Sequence, residues 1–577
     1  MSIDIETYRL KAQEAIEYVF VKEYHNSLGI PMPIVKMLLP DDANYSTGQY
    51  YITIDKTWQI HLNFGKLPIS YHEFQNEVKV LTRHEIEHYM CCPFDVITHF
   101  RMLKRIRDVY YKHFSHLGIN IEYACGAISN QAADIIVDTK NYYRHSKETL
   151  KSEIDWIKIG ANISACPRHC KLMFLTKEAI WKEDLGINET DPEFLKIVHQ
   201  LADSFTKNGI EDKSSFLDKV EEYAEIFFKL YVEDQKNPQQ SSQQGSQQQN
   251  GQQGSQQQSG QQGPQQQSGQ QGSQQQSGQQ GSQQQSGQWG VGRPKDGDEH
   301  GNAFVFADPD KVKEAIEVLA EETSVEEFID LLAIAGIIGM SDKQKGVLWF
   351  NVQSANIIPI VEFSNTGNKS SYTYPSVWRI GDPIEELDLM LTYMTSPRLI
   401  PGMTTKKWEY VSNDDNGTES KQMDLLLVVD TSGSMGSAMK ESANMHQAVL
   451  ASYGILSYFE STKSKVAFIG FSDKIDAYVD WSDKYDDVRE RLLTNGHGGT
   501  KFPISRIKST LDVRSRDLVT VLITNGDLGN INESVSYFRD YLNDDNKLYI
   551  FLLGGSKSLH SYEPVSYTHL RAHETSQ

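Results

Sequence analysis

A tract rich in glutamine, glycine and serine divides the chain and most limits what the rest of it can fold into. From Gln243, five near-copies of the nine-residue unit QQGSQQQSG follow one another. The unit has no apolar side chain to bury and no charge, so it cannot offset the conformational entropy lost on folding. We therefore predict a disordered, flexible linker over residues 236–290, with a root-mean-square reach of about 40 Å for roughly 50 residues.

Length and charge narrow the classes of protein to which the chain can belong. Its 577 residues exceed what one hydrophobic core can organise, so several domains are expected. A net charge of −21 disfavours nucleic acid and an anionic membrane as main partners. No apolar run approaches the roughly 20 residues of a membrane-spanning helix, and the acidic start lacks the pattern of a secretory signal. We expect a cytoplasmic protein with no nucleic-acid or membrane partner.

The cysteines all lie in the first third of the chain, at positions 91, 92, 125, 166 and 170. An odd, clustered set without an export signal predicts reduced thiols rather than a disulfide framework. The segment CPRHC, residues 166–170, also offers ligands for a structural metal. No second ligand pair follows it at zinc-finger spacing, so we expect buried thiols there instead.

The segment before the linker, residues 1–235, predicts one α+β domain that is mostly helical. The stretches YYITI and QIHLNF alternate between apolar and polar residues, which is typical of half-buried strands. The stretches YHEFQNEVKVLTRHEIEHYM and ISNQAADIIVDTKNYYR repeat apolar residues at helical spacing. After the linker, residues 291–420 predict a helical and mixed connecting region that begins with two capped helices.

Residues 421–564 predict a doubly wound, Rossmann-like α/β domain. The stretches MDLLLVVD, KVAFIGF, LVTVLITN and KLYIFLLG are continuous apolar runs, as expected of parallel strands buried on both faces. Helical stretches separate them, and strands that alternate with helices form sheets of this kind.

Polar side chains follow the first of these strands, in LLLVVDTSGSM. Asp430, Ser432 and Ser434 lie just past its end, and ligands bind at the carboxyl ends of strands in such sheets. One carboxylate and two hydroxyl groups on a tight loop are hard oxygen ligands. They suit Mg²⁺ or Mn²⁺ better than zinc.

The D-x-S-x-S spacing at this place resembles the metal-ion-dependent adhesion site (MIDAS) of von Willebrand factor A domains, over residues 421–564. The resemblance implies Thr500, in GGTKF, as a further ligand of Mg²⁺ or Mn²⁺. In ITNGD, Asn525 stands where the family has a ligand aspartate, and Asp527 is placed to compensate for the missing charge. The ion's open position would accept a carboxylate from a partner protein. The alternative is a domain that keeps the fold and has lost the metal.

The last residues have a different character. VSYTHLRAHET, residues 565–575, looks like the translation of a transposase sequencing adapter. We therefore predict that residues 565–577 are an artefact and that the natural sequence stops near Pro564, inside the domain. The domain at residues 421–564 would then be truncated.

A second candidate site lies in LTRHEIEHYM, within the long predicted helix of the first domain. His84 and His88 are four residues apart and therefore share one helix face, where they can grip one zinc ion. Glu85 lies beside them as a general base, which takes a proton from water and later passes it to the leaving amine. An apolar lead-in from Phe74 and Val78 supports a helix in this place.

Zinc needs a third protein ligand, and Phe94 falls where a third histidine would extend the motif. In gluzincin peptidases a second helix supplies an acidic ligand, and an acid four residues later orients a ligand histidine. Asp134 and Asp138, in NQAADIIVD, have this spacing, so we predict Asp134 as ligand and Asp138 as the orienting acid. The strand QIHLNF is a candidate edge strand along which an extended substrate would lie.

The two motifs together resemble a group of predicted bacterial metallopeptidase domains. These carry H-E-x-x-H followed by an N-x-A-A-D helix, here HEIEH and NQAAD, and often end in a von Willebrand A-like domain. The resemblance implies a zincin-like first domain with zinc-dependent peptide hydrolysis, joined to a metal-dependent protein-binding domain.

Other interpretations of the first site remain open at this point. His84 and His88 can belong to an exposed helix with salt bridges among Arg83, Glu85 and Glu87. Asp134 can be a buried acid that caps a helix or accepts hydrogen bonds. Other histidines nearby in sequence can be the third ligand, namely His99, His113, His116 and His169.

The chain can also be a non-catalytic adaptor. Prokaryotic proteins with such a C-terminal domain often resemble partners of MoxR-like AAA+ ATPases, and the HEIEH site would then be structural or vestigial. A flexible linker suits an adaptor because it lets the two ends hold different proteins. Adhesion at a cell surface is a weaker interpretation, since the sequence shows neither an export signal nor a membrane anchor.

Overall fold

The computed structural model describes part of the chain in two compact units. One unit comprises residues 1–323 with 327–340, and the other comprises 324–326 with 341–577. The predicted linker lies outside the described residues from position 237 onward. The described residues are 5–38, 50–54, 59–64, 70–159, 163–236, 309–337, 340–355, 373–378, 406–410, 423–514, 518–526, 528, 530, 535–542, 546–553 and 569–570. Among the helices they form, none has both the length and the apolar character that crossing a bilayer requires.

The first unit is mostly helical, as predicted, and contains one small sheet. Its helices are α1 (Ile5–Glu17), α2 (Tyr71–Met90), α3 (Val96–Val109), α4 (Ile121–Ile159), α5 (Arg168–Trp181), α6 (Pro192–Thr206), α7 (Phe216–Lys236), α8 (Pro309–Glu322) and most of α9 (Val325–Ile334). Shorter helical segments are Tyr18–Glu23, Tyr110–Phe114, Ser115–Leu117, Ile163–Ala165 and Lys213–Ser215.

The sheet of the first unit has three strands, β1 (Ile34–Leu38), β2 (Tyr50–Ile54) and β3 (Gln59–Phe64), in the order β1-β3-β2. The strand QIHLNF, which is β3, pairs parallel with β1 and antiparallel with β2. The prediction that it is an edge strand is therefore wrong. Both of its edges are already hydrogen-bonded, because β1, which the sequence pattern did not reveal, covers the second one.

Helix α2 lies between the sheet side of the unit and α4. Its N-cap is Ser70, whose hydroxyl accepts a hydrogen bond from the Glu73 backbone while the Glu73 carboxylate accepts one from the Ser70 backbone, forming a capping box. Phe74, Val78 and Ile86 join a buried cluster with α1 and the sheet. This packing orients the rest of the helix surface, with His84 and His88, toward α4.

Helices α8 and α9 pack against α3 within the first unit. Lys104 of α3 lies 2.5 Å from Glu327, and Arg107 lies 2.8 Å from Asp330. Arg101 forms a further ion pair with Glu322. The predicted connecting region 291–420 therefore contributes helices to this unit, and its remaining described residues belong to the other.

The second unit contains a larger sheet flanked by helices. Its helices are α10 (Asp342–Ala355), α11 (Asn444–Ser461), α12 (Tyr485–Leu492), α13 (Ile504–Leu511) and α14 (Val535–Leu542). Its strands are β4 (Thr373–Val377), β5 (Lys406–Tyr410), β6 (Asp424–Asp430), β7 (Val466–Phe471), β8 (Ile475–Ser482), β9 (Leu518–Thr524), β10 (Lys547–Leu552) and β11 (His569–Leu570). Strands β4 and β5 form a separate antiparallel pair.

The larger sheet has the order β11-β10-β9-β6-β7-β8. The four predicted strands are present as β6, β7, β9 and β10, and they pair in parallel. Every residue of β6, β7 and β9 is buried, as expected of strands covered on both faces. The sheet is mixed rather than fully parallel, because β8 runs antiparallel to β7 at one edge. Strand β11, the described part of residues 565–577, pairs parallel with β10.

The direction of the strand order changes at β6. The chain passes from β6 through α11 to β7 on one side, whereas β9 lies on the other side and continues through α14 to β10. In open α/β sheets the carboxyl ends of two such strands border a crevice that commonly binds ligands. Asp430 ends β6 and Thr524 ends β9, so both residues lie at this crevice.

Candidate metal centres

The first unit brings together His84 and His88 of α2 and Asp134 of α4, here called the histidine cluster. One ligand atom from each residue lies within 4.8 Å of the other two. The two imidazole Nε2 atoms are 3.1 Å apart. Asp134 Oδ1 lies 3.5 Å from His84 Nε2 and 3.3 Å from His88 Nε2. Three predicted ligands therefore converge on one point.

The other ring nitrogen of each histidine has its own partner. His84 Nδ1 lies 2.6 Å from Asp138 Oδ1, and His88 Nδ1 lies 2.8 Å from the carbonyl oxygen of Cys92. Both acceptors favour a proton on Nδ1, which leaves Nε2 with its lone pair. Two such lone pairs at close range repel each other, so the arrangement needs either a proton or a metal ion between them. Metal-binding histidines commonly have outer partners of these kinds.

Asp134 has one satisfied and one unsatisfied carboxylate oxygen. Its Oδ2 accepts a 2.9 Å hydrogen bond from the side-chain amide of Asn130, one turn earlier on α4. Its Oδ1 is buried and accepts no hydrogen bond from any described residue. A buried unsatisfied acceptor costs about 1–3 kcal/mol, and a charged one costs more. Asp134 lies in the interior of α4, so it does not cap that helix.

Glu85 follows His84 on the same helix and is half-buried. Its Oε2 atom is buried and, like Asp134 Oδ1, has no hydrogen-bond partner among the described residues. The negative charge of Glu85 is close enough to His84 to raise the pKa of its imidazole ring. The histidine cluster therefore has near it a carboxylate oxygen without a hydrogen-bond partner among the described residues, on a residue that is not one of its three converging ligands.

The electrostatics of the cluster favour positive charge. Burial of the His84 ring lowers its pKa, but the carboxylates of Asp138, Asp134 and Glu85 outweigh this effect and raise the pKa to about 10. Burial raises the pKa of Asp138, but Lys177 and His84 outweigh it and hold that pKa well below its usual range. The surrounding carboxylates thus favour a cation at the histidine cluster.

The exposed, salt-bridged helix considered as an alternative is not what the structure contains. His88 and Glu87 are fully buried, and Arg83 is 3% exposed. Arg83 forms ion pairs with Glu23 and Glu148, which lie outside α2. Glu87 likewise pairs with cations of α4, namely Lys140 and Arg144. The charges around the histidines are therefore interior contacts between helices.

The other histidines considered as ligands are not part of the cluster. His169 Nδ1 is 2.8 Å from Asp234 Oδ2, and His113 and His116 are exposed. His99 is buried, and burial together with nearby His88 lowers its pKa to about 4. Among the described residues, the histidine cluster is the one group of three or more His, Cys, Asp or Glu side chains with metal-binding spacing.

The cysteines all carry free thiols. Cys91, Cys92 and Cys125 are buried, whereas Cys166 and Cys170 of the CPRHC segment are half-buried rather than fully buried as expected. Burial raises the pKa of the Cys91 thiol to about 11, which disfavours the thiolate that binds metals.

The second unit places its candidate ligands in the loop of residues 430–434, here called the serine loop. Asp430 is fully buried, and its Oδ1 accepts a 2.9 Å hydrogen bond from the Ser432 backbone. Its Oδ2 accepts a 2.8 Å hydrogen bond from the Thr524 hydroxyl. Ser432 Oγ and Ser434 Oγ are 3.1 Å apart. The carboxylate and both hydroxyl groups therefore gather at the crevice between β6 and β9.

Asn525 joins this group from the end of β9. Its side-chain amide donates a 2.7 Å hydrogen bond to Ser434 Oγ. Its Oδ1 atom is buried without a hydrogen-bond partner among the described residues. An unsatisfied amide oxygen next to a serine hydroxyl is available to a hard cation.

Two further ligands of this site were predicted, Thr500 and Asp527. Thr500 lies in the loop that contacts the serine loop through two backbone hydrogen bonds, Gly496 N to Thr431 O at 3.0 Å and Gly433 N to Gly498 O at 3.3 Å. Asp527 lies outside the described residues.

Several residues that shape these sites were not found from the sequence. Asn130 orients Asp134, and Lys177 holds Asp138 from another helix at 2.8 Å. Thr524 holds Asp430 across the crevice. The one available signal was the asparagine of NQAAD, which lies four residues before Asp134 and therefore on the same helix face.

Comparisons with models of known protein families and with curated proteins found no match to this chain. The histidine cluster and the serine loop are therefore the features of the chain that bear on its function.

Proposed function

We propose that the protein is a zinc-dependent metallopeptidase whose second unit is a tethered, divalent-metal-dependent protein-binding domain. One observation carries the peptidase proposal. Two imidazole Nε2 atoms and Asp134 Oδ1 converge near Glu85, whose buried Oε2 has no hydrogen-bond partner among the described residues. The first unit is accordingly a zincin-like domain, and the second unit a domain of the von Willebrand A type.

The distances within the histidine cluster suit zinc. A tetrahedral zinc ion with bonds of about 2.0–2.1 Å holds neighbouring ligand atoms about 3.3–3.4 Å apart. The three separations in the cluster are 3.1, 3.3 and 3.5 Å. Two neutral imidazoles and one carboxylate are also a common ligand set for catalytic zinc, which keeps a fourth position open.

The chain's own groups then supply the remaining chemistry of peptide hydrolysis. Zinc, when bound, lowers the pKa of water and polarises the scissile carbonyl group. Glu85 accepts a proton from the attacking water and delivers it to the nitrogen of the leaving amine. Asp138 and the Cys92 carbonyl hold the Nδ1 side of the two imidazole rings, so their Nε2 atoms would be the ones to hold zinc.

The serine loop supports the binding role of the second unit. Mg²⁺ or Mn²⁺ would be held by Asp430, Ser432 and Ser434, with Asn525 and Thr500 as further oxygen ligands. An ion in this crevice with one open position would accept a carboxylate from a partner protein. A MoxR-like AAA+ ATPase is one candidate partner, and an adaptor that works without peptidase chemistry is the alternative function.

Removal of metal tests the peptidase proposal on the full chain. We expect dialysis against a chelator to abolish cleavage of an unfolded protein substrate, and one equivalent of zinc to restore it. Mg²⁺ alone, which suits the serine loop, should not restore cleavage. The cleavage rate is measured as the rate at which new amino termini are released. Cleavage at the original rate in the chelator-treated protein would contradict the proposal.

A further inference from the structure

We infer that Lys177 is a positioning residue of the metal centre, which acts on His84 through Asp138. The inference rests on the proposed function, because it concerns how the zinc ligands are held. Lys177 belongs to α5, a helix that supplies none of the ligands.

The ammonium group of Lys177 is fixed by two carboxylates inside the first unit. Its Nζ lies 2.8 Å from Asp138 Oδ2 and 2.6 Å from Glu153 Oε1. The lysine is 2% exposed, so these two acids replace nearly all of its water. The contact is therefore an interior ion-pair cluster between α5 and α4.

Each oxygen of the Asp138 carboxylate has a different partner. Oδ2 receives the Lys177 ammonium group, and Oδ1 lies 2.6 Å from His84 Nδ1. Rotation of the carboxylate about its bond to Cβ would break both contacts at once. Lys177 thereby fixes the plane of the carboxylate, and the carboxylate fixes the His84 ring. The path runs across three helices, from α5 through α4 to the zinc ligand on α2.

Stability alone does not account for a lysine at this position. The residues one turn away from it on α5 are apolar, since Met173 and Phe174 are half-buried one turn earlier and Trp181 is buried one turn later. Burying an ion pair costs desolvation, and replacing one with apolar residues of similar size is often neutral or stabilising. The contact with the acid that orients His84 gives the buried charge a function that an apolar residue would lack.

The zinc dissociation constant of the full chain tests the inference in Lys177→Met, which keeps the unbranched chain out to Cε and removes the charged group. We expect zinc affinity to fall about 10–100-fold, the range typical of lost outer contacts to metal ligands. Glu153→Gln is the matched control, because it removes the other ion pair of Lys177 and leaves the contact with Asp138. It should stay within about threefold of the wild type, and a loss as large as that of Lys177→Met would overturn the inference.

A double-mutant cycle distinguishes positioning from a general effect on folding. If Lys177 acts through Asp138, adding Lys177→Met to Asp138→Asn should weaken zinc binding no further than Asp138→Asn does alone. Additive losses would overturn the inference. Should Lys177→Met not fold, Lys177→Arg takes its place, since it keeps a cation for Asp138. Lys177→Arg should bind zinc more tightly than Asp138→Asn, and equally weak binding would overturn the inference.

The outcomes separate this inference from the proposed function. A wild-type chain that binds no zinc would overturn both. A wild-type chain that binds zinc, together with a Lys177→Met variant that is less heat-stable but binds zinc equally well, would leave the peptidase proposal intact. Lys177 would in that case be a structural residue only.

Discussion

Glu85→Gln is expected to remove peptide hydrolysis while leaving zinc bound to the protein. Glutamine keeps the size of the side chain but cannot accept the proton of the attacking water, and general-base catalysis contributes about 10²–10⁴-fold to such reactions. Glu85 is not among the three converging ligands of the histidine cluster, so its loss should not release the metal. The measurements are kcat/KM for a cleaved peptide and the zinc content of the same preparation.

A matched variant controls for a general loss of negative charge. Glu122 lies at the start of α4 and is exposed, so Glu122→Gln changes the net charge equally and should cleave at the wild-type rate. Cleavage by Glu85→Gln at the wild-type rate would rule out Glu85 as the general base. Loss of zinc from Glu85→Gln would instead indicate that Glu85 is a zinc ligand.

His88→Ala is expected to abolish zinc binding by the first unit. The variant removes one of the three ligands. It also removes the contacts that His88 Nε2 makes with Asp134 Oδ1 and with His84 Nε2. The loss of affinity should exceed the roughly 10–100-fold that follows from losing an outer contact. Zinc per folded chain, measured after dialysis with excess Mg²⁺ present, gives the result.

The control for His88→Ala is the substitution of another histidine in the same unit. His116 is exposed in the short helical segment Ser115–Leu117 and lies outside the histidine cluster, so His116→Ala should keep one zinc per chain. Because His88 is fully buried, folding of His88→Ala is checked by circular dichroism before its zinc is counted. A folded His88→Ala variant with undiminished zinc would show that the metal is bound elsewhere.

The relation between His84 and His88 could be predicted from the sequence because it is local. Four residues make about one helical turn, and the helix itself follows from apolar spacing and from the capping box at Ser70. Asp134 and Asp138 were predicted through spacing on a second helix, and both lie beside His84 in the structure. A strong local signal on each of two helices was therefore enough to suggest a shared site.

The contacts that support the site could not be predicted, because they join segments far apart in sequence. Lys177 lies 39 positions after Asp138, and no pattern in α5 indicates which acid it contacts. The Cys92 carbonyl is a backbone group, which every residue has, so the sequence does not mark it. The central position of β3 was missed because β1, with the sequence IVKML, does not alternate between apolar and polar residues and so gives no clear strand signal.

In the second unit, too, local features could be predicted from the sequence and contacts between distant segments could not. Continuous apolar runs predicted β6, β7, β9 and β10, because strands buried on both faces leave a strong compositional signal. Strand β8 was missed because it is an edge strand of mostly half-buried residues. The role of Thr524 depends on β9 lying next to β6, a pairing that follows from topology rather than from local sequence.

The most direct test of the zinc site is X-ray absorption at the zinc edge of the full chain loaded with one equivalent of zinc. Ligation by His84, His88 and Asp134 predicts a shell of nitrogen and oxygen atoms at about 2.0–2.1 Å, with the outer scattering of two imidazole rings. A zinc–sulfur shell at about 2.3 Å would place the metal on cysteine thiols and contradict the account.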